Sequence, residues 1–329
     1  MNTSDVLRKK ITVIGGGTGS FIVLSGLKKY PLDLGVVVSM ADSGGSTGKL
    51  RDQLGVLPPG DLRQCLVALS EAPVLWRKLF LYRFAKGELK GHNFGNLFLA
   101  ALEKVSTDYN QAIETASYVL KTKGEVIPVT LTKTNLVAQY ENGKIVKGEG
   151  LIDENKAERS KIKTIYLEPK AAANPKAVKR ILESDYIIIG PGDLYTSIIA
   201  VFLVDKIKEA VLKTKAKIIY FLNLMTKAGQ TVSYQANDHL KDLKKYLGRW
   251  PDYILVNKGR LPEEIIDFYK KYNEIKVVND LRNNGYEIVE EDLVDNKKFE
   301  KNPNDVLYRS ILRHDSRKVA KVLLKIFHV

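Results

Sequence analysis

The chain has 329 residues, 44% hydrophobic and 27% charged, which suits one large α/β domain and excludes collagen-like or low-complexity readings. Lys and Arg number 52 against 38 Asp and Glu, a formal charge of +14, but the excess is mostly Lys and is spread over both halves without a basic arm, which favours acidic small-molecule ligands and sets nucleic acid aside. One cysteine, Cys65, excludes a disulfide framework and a multi-cysteine metal site; no apolar run is long enough for a membrane span, and MNTSDVLRKK lacks the apolar core of a signal peptide, so a cytoplasmic protein is expected.

Lys10 to Ile14 is a short apolar run ending in GGGTGS, and Phe21 to Tyr30 has helical spacing. Gly35 to Met40 is a second buried strand. Leu62 to Leu69 and Asn96 to Val105 read as helices. Near residues 125–170 the pattern changes: Leu136 to Tyr140 and Lys144 to Lys147 flank Glu141-Asn142-Gly143, a hairpin signal, and Lys161 to Glu168 adds a third strand-like arm. Asp185 to Ile189, Lys217 to Leu224 and Asp252 to Asn257 are continuous apolar runs, as expected of parallel strands buried on both faces. The stretch 292–304 reads as a surface loop, and Asp315 to Phe327 as a docked terminal helix. These β–loop–α units predict a single α/β domain over residues 1–329. Its fold is Rossmann-like and doubly wound, a mostly parallel sheet with a small antiparallel hairpin insertion.

Ligands on such sheets bind beyond the carboxyl ends of the strands, and here those ends carry glycine and polar loops. Gly15, Gly16, Gly17, Thr18, Gly19 and Ser20 form a phosphate cradle or a tight turn that packs helix on strand; Ser20 stands where a dinucleotide fingerprint has its third glycine. Asp42, Ser43, Gly44, Gly45, Ser46 and Thr47 form a second loop, whose spacing and Leu50 exclude a P-loop. Asp42 meets a ribose hydroxyl, holds a metal, orients a nucleophile or caps the next helix. In PPGDLR, Asp61 is a helix cap and Arg63 a phosphate fork or its partner. His92, Asn93 and Asn96 stand at a helix start as polar readers or as structure. Gly190, Gly192, Asp193, Tyr195 and Thr196 follow another buried strand, and Asn223 to Thr231 another. No His/Cys/carboxylate cluster has zinc spacing. The shared position of these loops predicts one cleft.

In order, GGGTGS at 15–20, ADSGGSTGKLR at 41–51, PPGDLRQCLVAL at 58–69, GHNFGNLFLAAL at 91–102, IIGPGDLYTSI at 188–198, NLMTKAGQT at 223–231 and ILRHD at 311–315 resemble the gluconeogenesis factor (YvcK-type) family, within the superfamily of CofD-like 2-phospho-L-lactate transferases. Lys227-Ala228 departs from the Gln-Pro more usual there, and 292–304 looks like an insertion. The resemblance implies a nucleotide-sugar-binding regulatory factor for cell shape and cell-wall synthesis under gluconeogenic growth, with UDP-N-acetylglucosamine the foremost ligand and no required cofactor. It further implies an unidentified regulatory protein partner and a homo-oligomer. The residues themselves place Arg313 in the site as a diphosphate fork or paired with Asp315, and Tyr269 there stacked on the uracil or as a half-buried core tyrosine. The alternative is a phospholactyl transferase acting on a deazaflavin with Mg2+, and Asp42 is its metal candidate. A generic NAD-dependent enzyme lacks a hydride-transfer constellation here. No carboxylate has a second one at short spacing, so no catalytic residue and no metal ligand is expected in the regulator.

Overall fold

A computed structural model describes residues 8–282, 284–295 and 311–329 of the chain. In chain order the strands are β1 (Lys10–Gly15), β2 (Asp33–Val38), β3 (Glu125–Pro128), β4 (Asn135–Tyr140) and β5 (Ile145–Lys147). They continue with β6 (Ile162–Glu168), β7 (Tyr186–Ile189), β8 (Lys217–Phe221), β9 (Tyr253–Asn257) and β10 (Glu287–Glu291). The first helices are α1 (Gly17–Leu27), α2 (Gly45–Leu54), α3 (Pro59–Leu69), α4 (Val74–Leu81), α5 (Phe94–Val105), α6 (Tyr109–Leu120) and α7 (Glu149–Asp153).

Seven strands form one parallel sheet in the order β10-β9-β8-β7-β1-β2-β3. The chain winds outward from β1 through β2 to β3, returns to lay β7 beside β1, and winds the other way. This reversal opens a crevice at the carboxyl ends of β1 and β7. The apolar runs have their cause here: Ile11, Val13, Ile14, Val36, Val37, Ile187, Ile188 and Ile189 are fully buried because helices cover both faces. On one face α1 packs against α3 and the terminal helix Ser316–Phe327; the helices Pro175–Leu182, Ile207–Lys213 and Ala236–Leu247 pack together as a second group.

β4 pairs antiparallel with β5 and β6 in a separate three-stranded sheet. The hairpin closes through Tyr140 N donating to Lys144 O at 2.9 Å and Gly143 N to Tyr140 O at 3.0 Å. Glu125–Pro128, inside the stretch expected to be insertion, instead pairs with β2 as an edge of the main sheet. The helix expected from Phe21 begins at Gly17, so GTGS is the first turn of α1 rather than a loop before it. α2 likewise begins at Gly45. Residues 296–304 of the expected surface loop lie outside the described residues. No helix among the described residues is long and apolar enough to cross a membrane.

Candidate functional site

The crevice at the strand reversal is a cleft into which several helix N-termini point. Gly16 to Gly19 at the head of α1, Gly44, Ser46 and Thr47 at α2, and Gly60, Asp61 and Arg63 at α3 all line it. Asn96 reaches it from α5, and Gly192 and Asp193 from the turn before the π-helix Leu194–Ile199. First-turn backbone N–H groups and the positive ends of the helix dipoles therefore converge on one space. The two halves of the crevice meet at Gly19: a Cβ there would stand 1.6 Å from Pro191 O, so only glycine lets the backbones approach. A Cβ at Gly17 would stand 2.7 Å from Asp61 Oδ1. Packing alone thus demands glycine at 17, and the Asp61 carboxylate lies directly against the α1 terminus.

Carboxylates gather here. Asp42, Asp61, Glu149, Asp153, Glu154 and Asp193 all line the cleft, opposed by Arg63, Arg83, Lys227 and Arg313. Burial drives the Glu149 carboxyl well above the usual range, and repulsion from Asp42, Asp153 and Asp61 adds to it; the Ser43 N–H, 3.3 Å from Oε2, pulls the other way. Asp193 is pushed up to about 6 by burial, with Asp153 adding and Lys227 opposing. Lys227 Nζ lies 3.0 Å from Asp153 Oδ1 and 3.6 Å from Asp193 Oδ2. Burial favours the neutral amine, but Asp193, Asp153 and Glu274 outweigh it, and Lys227 remains a cation.

The far wall is apolar. Leu224, Met225, Tyr269 and Leu312 line it, with Arg313 and His314 beside them. Tyr269 is 2% exposed, and its hydroxyl accepts from the amides of Ile311 at 3.1 Å and Leu312 at 3.2 Å, so it anchors the segment that presents Arg313. His314 is held neutral by burial, its pKa lowered to about 4; its Nε2 has no protein partner. Asn96 Oδ1 is likewise buried without one.

The remaining expected residues support the cleft without lining it. Gly15 ends β1, and Ser20 is buried beneath the first turn of α1. Ser43 Oγ accepts from Gly150 N at 2.9 Å, which fastens α7 to the α2 terminus that Gly45 opens. His92 Nδ1 lies 3.3 Å from Ser46 Oγ, its pKa lowered by burial and then by Lys49 and Arg83. Asn93 caps α5, Oδ1 accepting from Asn96 N at 3.2 Å. Gly190 N donates to Ile14 O at 3.0 Å and ties β7 to β1. Tyr195 and Thr196 face away: Tyr195 Oη bonds Asp242 and Tyr234, and Thr196 Oγ1 bonds Gln230. Both side chains are buried, and their hydroxyls are taken up by these partners behind the cleft.

Neither Asp42 nor Asp61 is a helix cap: the N-cap of α2 is Gly44 and that of α3 is Pro58. Asp42 instead accepts from Gly44 N at 2.9 Å, in a turn before the helix. Sequence reasoning missed Arg83, Glu149, Asp153 and Glu154. Linear spacing separates Glu149 and Asp153 from Asp42 by more than a hundred residues, and only the small sheet brings them together. One signal was present: like charges at i and i+4 on a five-residue helix are unfavourable unless something else requires them.

The family described as 2-phospho-L-lactate transferase CofD matches residues 11–294. The gluconeogenesis factor of Bacillus subtilis (strain 168) is 41% identical over 323 residues, covering 96% of this chain and 98% of that protein. That of Listeria monocytogenes serovar 1/2a is 37% identical, covering 96% and 95%. A crystal structure of a UPF0052 family member from Bacillus halodurans superposes with a TM-score of 0.87 at 35% identity, covering 96% of this chain and 99% of that one. The chain belongs to the CofD-like family and, within it, to the gluconeogenesis factors.

Proposed function

We propose that the cleft binds a nucleotide sugar, UDP-N-acetylglucosamine first among them, and that the protein is a regulatory binding factor serving cell shape and cell-wall synthesis under gluconeogenic growth. The observation that carries this reading is the pairing of two unlike walls. Converging helix N-termini with Arg63 and Arg83 suit a diphosphate. The apolar wall of Leu224, Met225 and Leu312, with Arg313 at its rim, suits a base and its adjoining phosphate. Sugar and ribose hydroxyls are donors, and the carboxylates between the walls are acceptors for them. Calorimetric titration of the full chain with UDP-N-acetylglucosamine tests it. Arg313→Gln is expected to weaken binding about tenfold or more, the worth of a charge-assisted hydrogen bond. A folded parent protein that binds no UDP-sugar at millimolar concentration ends the proposal.

A second reading, the phospholactyl transferase, draws support from the carboxylates. Magnesium takes oxygen ligands, often one or two carboxylates with the rest from phosphates and water. Asp42 and Asp61 suit that partial set. Among the described residues no three His, Cys, Asp or Glu side chains form a ready-made cage. Bound there, magnesium would neutralise phosphate charge beside the helix N-termini. Turnover above about one per second with magnesium, a deazaflavin and its phospholactyl donor, lost in Asp42→Asn, favours the transferase.

A further inference from the structure

Helix α4 turns its apolar side outward. Val74, Leu75, Lys78, Leu81 and Tyr82 fall on one arc of about 120° at 100° per residue, and all five are exposed, Leu75 at 77%. The opposite side is anchored: Phe80 is fully buried, its ring 5.0 Å from Phe98 and 6.1 Å from Phe94. A surface helix ordinarily shows the reverse arrangement, and a contiguous exposed apolar face marks a surface that something covers.

The surrounding charge is mostly positive. At the foot of α4, Lys28 Nζ donates to Ser70 O at 2.8 Å, and the segment before the helix pairs with the end of α6, Ala72 N on Leu120 O and Glu71 N on Lys121 O, both at 3.1 Å. Lys28, Lys29, Lys123 and Arg77 are thereby crowded together. The Lys28 ammonium is pushed down by burial first, then by repulsion from Arg77, Lys29 and Lys123, with Glu71 opposing. At the head, Lys86 and Lys90 are exposed on a turn whose Leu89 is exposed too. That turn is fixed to the helix end by Gly91 N on Phe84 O and Phe94 N on Tyr82 O, both at 2.9 Å. Glu71 and Glu88 are the acidic residues of 70–91.

We propose that α4 and its flanking lysines form a docking face for an anionic lipid bilayer. Val74, Leu75, Leu81 and Tyr82 enter the boundary between headgroups and acyl chains, and the cations at both ends meet lipid phosphates. Charge complementarity selects this occupant. A second copy on a two-fold axis would set the same cations against one another in a chain of net charge +14. A bilayer supplies the opposite charge and suits the exposed Tyr82 as an interfacial side chain. The inference rests on this face alone and is independent of the cleft.

Co-sedimentation of the full chain tests it, using phosphatidylcholine vesicles with or without about 30 mol% phosphatidylglycerol. The parent protein is expected to bind the anionic vesicles about tenfold more tightly than the neutral ones and to be released at about 0.5 M salt. Leu75→Ser with Leu81→Ser, and separately Lys78→Glu with Lys86→Glu, are each expected to lose about tenfold with an unchanged melting temperature, since these side chains are exposed. Binding that ignores lipid charge, or no binding to the anionic vesicles, overturns the proposal. So does a concentration-dependent dimer by ultracentrifugation that Leu75→Ser abolishes, which would assign the face to a second copy.

Discussion

Lys227 stands between Asp153 and Asp193, and its charge opposes the burial that raises the Asp193 carboxyl. Asp193 and His314, on opposite walls, are displaced in opposite senses. Asp193 is raised from 3.8 to about 6, so the folded protein holds that proton more tightly than the unfolded chain; acidification from pH 6 towards 4 adds stability at this site, and the contribution is lost as pH rises through 6. His314 is lowered from 6.5 to about 4 by burial, so the unfolded chain takes the proton first; acidification through nearly the same window removes stability. Urea denaturation across this window separates them. Asp193→Asn is expected to lose more stability on acidification than the parent, and His314→Gln to lose less. Two variants whose curves run parallel to the parent's would refute both assignments. Neither displacement was legible in the sequence, because each arises from neighbours remote in the chain.

At the scale of elements, the central strands were legible and the margins were not. β1, β7, β8 and β9 are apolar without alternation, and burial on both faces leaves little else those runs could be. β10, EIVEE, is a half-exposed edge strand whose pattern resembles any surface segment. The starts of α1 and α2 were invisible because Gly, Ser and Thr carry no apolar periodicity; their helicity comes from the strand ends that hold them. α7 is five residues long and is kept in place by side chains from elsewhere, Ser43 above all. Ser43→Ala is therefore expected to cost about 1 kcal/mol, the usual worth of one such hydrogen bond, in chemical denaturation. The amide of Gly150 should then exchange faster with solvent, and an unchanged Gly150 exchange rate would show that α7 is held by other contacts.

Across the whole molecule, stability and the cleft reside at opposite ends of the sheet. At the foot, Arg180 is 5% exposed and clamps β1 to β2: Nη2 donates to Ile11 O at 3.2 Å and Asp33 O at 2.8 Å, Nε to Thr12 Oγ1 at 3.0 Å, and Nη1 to Asp33 Oδ1 at 2.9 Å. Arg180→Met leaves buried acceptors without a donor and is expected to cost about 3 kcal/mol of global stability. Affinity for UDP-N-acetylglucosamine should not change, since the clamp lies a full strand length from the cleft. A variant that is as stable as the parent, or one that is stable but loses the ligand, would contradict this separation.

The small antiparallel sheet touches both arms of the winding. Arg51 on α2 donates to Asn135 Oδ1 at 3.0 Å and Thr134 O at 3.2 Å, while Tyr140 Oη donates to Gly229 O at 2.9 Å and Gln230 Nε2 to Asp153 Oδ1 at 3.2 Å. It is buckled across the crevice, and the two arms cannot part while the buckle is fastened. On the proposed function, a nucleotide sugar lodged beside α7 would then leave at a rate that Arg51, Tyr140 and Gln230 help to set, apart from what the cleft recognises.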